Sequence, residues 1–136
     1  MGAIGSATVF AATLLEVDDL ARFTTSYGDG AGERVLVAVA DALGRERQGG
    51  ELVIRYGADE FLVVARGTNS ETALDRAGRM VEAARDARLS QPLDHEHISV
   101  SAAVTVTELA TIPFARLAEG LKSTKSLGKN LAHLVE

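Results

Sequence analysis

From Thr8 to Leu15 the chain is apolar on both faces of an extended segment, the pattern of a central strand in a sheet. Glu16 breaks the run, and Asp18 or Asp19 is placed to cap a short helix reaching Phe23. The glycine-rich stretch Tyr27-Gly28-Asp29-Gly30-Ala31-Gly32 predicts a loop. Val35, Leu36, Val39, Ala40 and Leu43 then recur at helical spacing, with Gly44 near the stop. Val53-Ile54 and Phe61-Leu62-Val63-Val64 flank a turn with its apex at Gly57-Ala58, which predicts a hairpin. Thr68-Asn69-Ser70-Glu71 matches a capping box, and Ala73, Ala77, Met80, Val81 and Ala84 continue one helical face. Ile98 to Val104 alternates as a strand, Pro113 opens a helix to about Thr124, and Leu131 to Val135 fits a short edge strand.

That order predicts an α+β fold: a mainly antiparallel central sheet flanked by helices, palm-like and ferredoxin-related, with the helices packed on one side. Residues 7–136 read as a single domain, and Met1 to Ser6 as a flexible entry or an expression leftover. The run from Ala7 to Leu15 is too short for a membrane span and lacks the basic start of a signal peptide. The formal net charge of −5 disfavours a surface that coats a nucleic-acid polymer, yet leaves room for a mononucleotide in a local basic pocket. The chain has no cysteine, which excludes disulfide and thiolate chemistry and is compatible with a cytoplasmic setting.

The candidate chemistry lies at the hairpin tip. Asp59 and Glu60 are adjacent carboxylates, and alternation along a strand sends them to opposite faces, so they have distinct roles. A sheet of the predicted order brings Glu16, Val17 and Asp18 near them. In an arbitrary sequence two acids on a turn are solvated turn residues. By the same standard Lys125 and Lys129 are a solvated helix end, and Asp94-His95-Glu96-His97 is a loop that only looks like a metal tract.

Five ordered segments change those defaults. Arg55-Tyr56-Gly57-Ala58-Asp59-Glu60-Phe61 resembles the signature of the GGDEF domain of bacterial diguanylate cyclases, with Ala58 in place of its second glycine. Leu15-Glu16-Val17-Asp18 stands where that family has its first metal-binding Asp-x-Asp, and Tyr27 to Glu33 where it has Tyr-Gly-His-x-x-Gly-Asp. Ile98 to Ala103 resembles its Thr-Val-Ser-Ile-Gly strand, and Lys125-Ser126-Leu127-Gly128-Lys129-Asn130 its Lys-x-x-Gly-Arg-Asn.

The resemblance implies condensation of two GTP molecules into cyclic di-GMP across two facing domains, assisted by Mg2+ or Mn2+, with a homodimer or flanking signalling domains as partners. It implies Glu16, the Val17 carbonyl and Asp59 as metal ligands, and Glu60 as the acid required for turnover. Glu33 and Thr24 would meet the guanine, Gly57 and Ala58 would lie against the nucleotide, and Lys125 and Lys129 would hold the β and γ phosphates.

The departures are specific. Ala21 stands where the family has a phosphate-contacting lysine and Thr24 where it has a guanine-reading asparagine, a change worth about 1–3 kcal/mol of base selectivity. Ala58 stands where a positive φ or close phosphate approach favours glycine. Gln48 and Glu51 occupy the Arg-x-x-Asp positions of the family's product-inhibition site, so the stacking guanidinium is lost. The family's opening Asp-x-Leu-Thr-Gly-Leu-x-Asn-Arg segment is not found in Met1 to Ser6, whether trimmed or lacking. These features favour a degenerate, regulatory module that binds GTP and metal with little cyclase activity. A weak or conditional cyclase and a nucleotide-free dimerisation module stay open beside it.

Overall fold

The computed structural model describes residues 9–108 and 111–135. The elements run β1 (Phe10–Val17), α1 (Leu20–Tyr27), α2 (Asp29–Glu46), β2 (Glu51–Arg55), β3 (Glu60–Arg66), α3 (Ser70–Arg85), β4 (Val100–Thr107), α4 (Phe114–Ser126) and β5 (Ala132–Leu134). They form a five-stranded sheet in the order β2-β3-β1-β4-β5. All pairs are antiparallel except β4 with β5, which is parallel with Ala102 opposite Ala132. The α+β sheet flanked by helices therefore matches the sequence pattern. Thr8 and the entry Met1 to Ser6 lie outside the described residues.

Both faces of the sheet carry helices, which corrects the expectation of one. Leu15, Val17, Phe61, Val63, Val100 and Ala102 pack with residues of α1, α2 and α3, while Ala12, Leu14, Leu62 and Ala103 pack under Leu117 and Leu121 of α4. Because β1 is apolar on both faces, each face needs a cover, and the alternation of side chains divides them cleanly.

The expected loop from Tyr27 to Gly32 is mostly helix. Only Gly28, at φ 99°, breaks α1 from α2. A Cβ on Gly32 would come within 3.0 Å of the Thr24 hydroxyl, so that glycine serves the close approach of the two helices rather than a loop. The capping expectations also shift. Asp19 precedes α1 but sits in the left-handed region at φ 52° and makes no side-chain cap. The α3 cap is Asn69, whose side chain accepts from Thr72 N at 2.8 Å, one residue after the Thr68 that the capping box predicts. Pro113 is the residue before α4, not its first.

Gly120 seats α4 on the sheet. A Cβ there would collide with Val135 Cγ2 and lie 3.0 Å from Ala103 Cβ. Gly120→Val should destabilise the domain by about 1–3 kcal/mol through overpacking. A urea titration reads this as a lower midpoint, and an unchanged midpoint would show that the α4 interface can yield.

Candidate functional site

The acids of the hairpin meet the end of β1. Glu16 and Glu60 are direct cross-strand partners and so share the sheet face under α4. Val17 is buried, and its N–H donates to the Asp59 carbonyl at 2.9 Å, pinning the turn to the strand. The turn closes through Tyr56 N and Gly57 N, which donate to the Glu60 carbonyl at 2.9 and 3.3 Å. A Cβ on Gly57 would sit 3.0 Å from Glu60 Oε1, so the glycine leaves room for that carboxylate. Burial, and then the neighbouring Asp59 charge, raise the Glu60 pKa above the usual carboxylate value.

Ala58 does not adopt the strained backbone expected of it. Among the described residues the non-glycine positions with positive φ are Asp19, Lys129 and Asn130. Ala58 is exposed, and its carbonyl accepts from Arg55 at 3.2 Å. The same guanidinium donates to the Gly57 carbonyl at 3.4 Å and pairs with Glu33 at 3.1 Å. Arg55 thus links the signature turn to α2, a connection that sequence reading missed. Glu33 is exposed, and the Thr24 hydroxyl lies beside neighbouring Gly32. Ala21 is exposed on the first turn of α1.

Both candidate phosphate lysines reach the acids. Lys125 pairs with Glu16, and Lys129 pairs with Asp19 at 2.9 Å. The Asp19 hydrogen bond and charge raise the Lys129 pKa. Asp18 is buried and accepts from the Ser99 and Ser101 hydroxyls, each at 2.7 Å, and from Asn130 N at 3.2 Å. The strand period could have placed Glu16 and Asp18 on one face, but nothing local names their partners.

Glu16, Asp59 and the Val17 carbonyl are hard oxygen donors. Mg2+ is commonly held by one or two carboxylates together with substrate phosphates, and this donor set is of that kind. Among the described residues no group of three or more His, Asp or Glu side chains could itself hold a metal. The Asp94 to His97 tract has another job. Glu96 accepts from Arg22 at 2.6 Å and from the Tyr27 hydroxyl, tying α1 to the loop before β4. Those two hydrogen bonds lower the Glu96 pKa.

The family profile described as "Diguanylate cyclase, GGDEF domain" matches residues 4–120. Diguanylate cyclase DgcZ of Escherichia coli K12 is 25% identical over 126 residues, covering 90% of this chain and 43% of that protein. Probable diguanylate cyclase DgcC of the same strain is 32% identical over 76 residues, covering 56% of this chain and 20% of its own length. The chain therefore spans less than half of either relative. Among solved structures, diguanylate cyclase SiaD of Pseudomonas aeruginosa in complex with its activator SiaC superposes with a TM-score of 0.87 at 22% identity, over 96% of this chain and 51% of that one. The GGDEF domain of DgcB from Caulobacter crescentus in complex with c-di-GMP gives 0.85 at 20% identity, over 97% and 81%. At these identities the superpositions speak for the fold. Among the described residues no helix is long and apolar enough to cross a membrane.

Proposed function

The chain belongs to the GGDEF family of diguanylate cyclase domains, and from that premise we propose that it is a regulatory module of cyclic di-GMP signalling that binds GTP with Mg2+ or Mn2+. The observation that carries the reading is the convergence of Glu16 and Glu60, paired across β1 and β3, with Lys125 paired to Glu16. Glu16, Asp19, Asp59 and Glu60 outnumber Lys125 and Lys129, so a triphosphate alone meets a net negative end of the sheet. A divalent ion bound there would neutralise phosphate charge and acidify a ribose hydroxyl.

The chain's own groups do the rest. Lys125 and Lys129 exchange their carboxylate partners for phosphate oxygens, Glu33 accepts from the guanine edge while Arg55 orients it, and Thr24 offers one hydroxyl. Ala21 supplies no charge at the phosphate side. With these contacts changed, ground-state binding survives better than stabilisation of a transition state.

Residual cyclase activity is the second reading. It is favoured by Ala58, which takes the turn without left-handed strain, and by Glu60, whose raised pKa suits a group that takes up a proton. Each site supplies one GTP to a two-GTP product, so turnover needs a facing second copy.

Calorimetric titration of a hydrolysis-resistant GTP analogue with Mn2+ tests the proposal. Metal-dependent heat is expected for the wild type, with at least tenfold weaker binding for Asp59→Ala, about 1.4 kcal/mol. An absence of heat at millimolar analogue would reject both nucleotide readings.

A further inference from the structure

We propose that Asp18 is a positioning residue: its buried carboxylate anchors the backbone turn after α4 and so sets Lys129 at the nucleotide end of the sheet. The consequence for phosphate binding rests on the nucleotide reading above, whereas the anchoring does not.

Asp18 leaves the end of β1 with 4% of its surface exposed. Its N–H donates to the Ser99 carbonyl at 2.9 Å, so its backbone continues the contact with the chain leading into β4. Its carboxylate receives two hydroxyls at 2.7 Å, Ser99 to Oδ2 and Ser101 to Oδ1. The remaining donor is the backbone N–H of Asn130, to Oδ2 at 3.2 Å. A carboxylate withdrawn from water persists only where donors are already in place, and here they come from two separate stretches of chain, Ser99 with Ser101 and the turn at Asn130.

The partner backbone needs such an anchor. Lys129 and Asn130 are consecutive left-handed residues, at φ 61° and 49°, and neither is glycine. A side chain disfavours that conformation, and such residues persist only where their surroundings over-determine them. Leu127 N still donates to Ser123 O at 3.0 Å, but the ties back to α4 lengthen along the turn: Gly128 N to Lys125 O and Lys129 N to Thr124 O are each 3.3 Å. The bond from Asn130 N to Asp18 joins this turn to the opposite side of the site.

Three acids near the end of β1 thereby divide their work. Glu16 meets Lys125, Asp19 meets Lys129, and Asp18, between them, holds the backbone that carries Lys129. Without that anchor Lys129 relaxes out of its left-handed conformation and its ammonium leaves the site.

Amide hydrogen exchange on the nucleotide-free domain, read by NMR, tests the anchoring. Asp18→Asn keeps the shape but replaces an oxygen acceptor with an amide donor. It should speed exchange at Asn130 about tenfold or more beyond any change at Leu14 and Val104 in the sheet centre. A uniform rise across all three positions would overturn the proposal, since it would report a loss of overall stability alone. Should Asp18→Asn not fold, Ser99→Ala removes one donor to Oδ2 and should give a smaller rise confined to the same turn, a uniform rise again being the adverse result.

A binding cycle tests the consequence. For the GTP analogue with Mn2+, Asp18→Asn and Lys129→Ala should each weaken binding about tenfold, and the double variant should lose no more than either alone. Additive losses would mean that Asp18 does not act through Lys129. If the wild type does not bind the analogue, the nucleotide reading fails, and exchange at Asn130 still decides whether Asp18 anchors the turn.

Discussion

Arg76→Ala should cost the domain about 3–5 kcal/mol of unfolding free energy, the range for breaking a buried ion pair from one side. Arg76 joins three elements. Its guanidinium donates to both Glu51 oxygens at 2.8 and 2.9 Å, to the Glu46 carboxylate at 2.7 Å and to the Glu46 carbonyl at 3.0 Å. Glu51, 7% exposed at the start of β2, also accepts from Gln48 N at 2.8 Å. Removing the arginine leaves a buried carboxylate with one backbone donor, in a protein whose class has about 5–15 kcal/mol in total. Burial works against the ionised Glu51, but the Arg76 hydrogen bonds, the Gln48 N–H and the nearby positive charge together hold its pKa below the usual value. A depressed folded pKa stabilises above the unfolded pKa and loses that contribution as pH falls through the folded one. The gap between wild type and Arg76→Ala should thus be widest near neutral pH and narrow below about pH 4.5, the carboxylate reference range. Urea denaturation followed by circular dichroism at pH 7 and pH 3 measures both. A neutral-pH cost under about 1 kcal/mol, the ordinary worth of a surface pair, would show that the network is solvated. The network also occupies one of the two positions that the family resemblance assigns to product inhibition, so Glu51 is already committed to holding α2, β2 and α3 together.

Restoring the two missing contacts should do the reverse for ligand binding. Ala21→Lys with Thr24→Asn is expected to tighten the GTP analogue about tenfold to a hundredfold in calorimetry, each regained hydrogen bond contributing part of its full range. Ala21 is exposed, so a lysine there displaces no packing. Thr24 lies against Gly32, which has no Cβ to meet the replacement side chain. The single variants separate the roles. Ala21→Lys should strengthen GTP and ATP analogues alike, because phosphate is common to both, whereas Thr24→Asn should favour GTP alone through its paired donor and acceptor. Equal gains for both bases from Thr24→Asn would remove this face of α1 from base recognition. Turnover appearing only in the double variant would mark the wild-type domain as a binder whose cyclase chemistry was lost at these two positions.

Local pattern was enough for much of this molecule. Period-two and period-3.6 repeats placed the strands and the three longer helices, and the signature turn lay on a hairpin as its flanking apolar runs required. The identity of Asp59, Glu60, Lys125 and Lys129 pointed to phosphate and metal chemistry through the order of five short segments. Other outcomes turned on distance in space. Glycines that read as a loop became part of α2, because the neighbouring α1 packs against Gly32. A capping role for Asp18 or Asp19 gave way to partners about a hundred residues away, Ser99, Ser101 and Asn130 for the first and Lys129 for the second. The one-residue precision of the β1–β3 register, which sets Glu16 against Glu60, came from pairing across the sheet. Sequence by itself determined the kinds of element, the family and the charged groups available, because these follow from side-chain chemistry and short-range periodicity. Tertiary structure alone decided which helix covers which face and which acid holds which base. Periodicity reveals that a face is apolar but not what will cover it, and a charge finds its partner only after the sheet has closed.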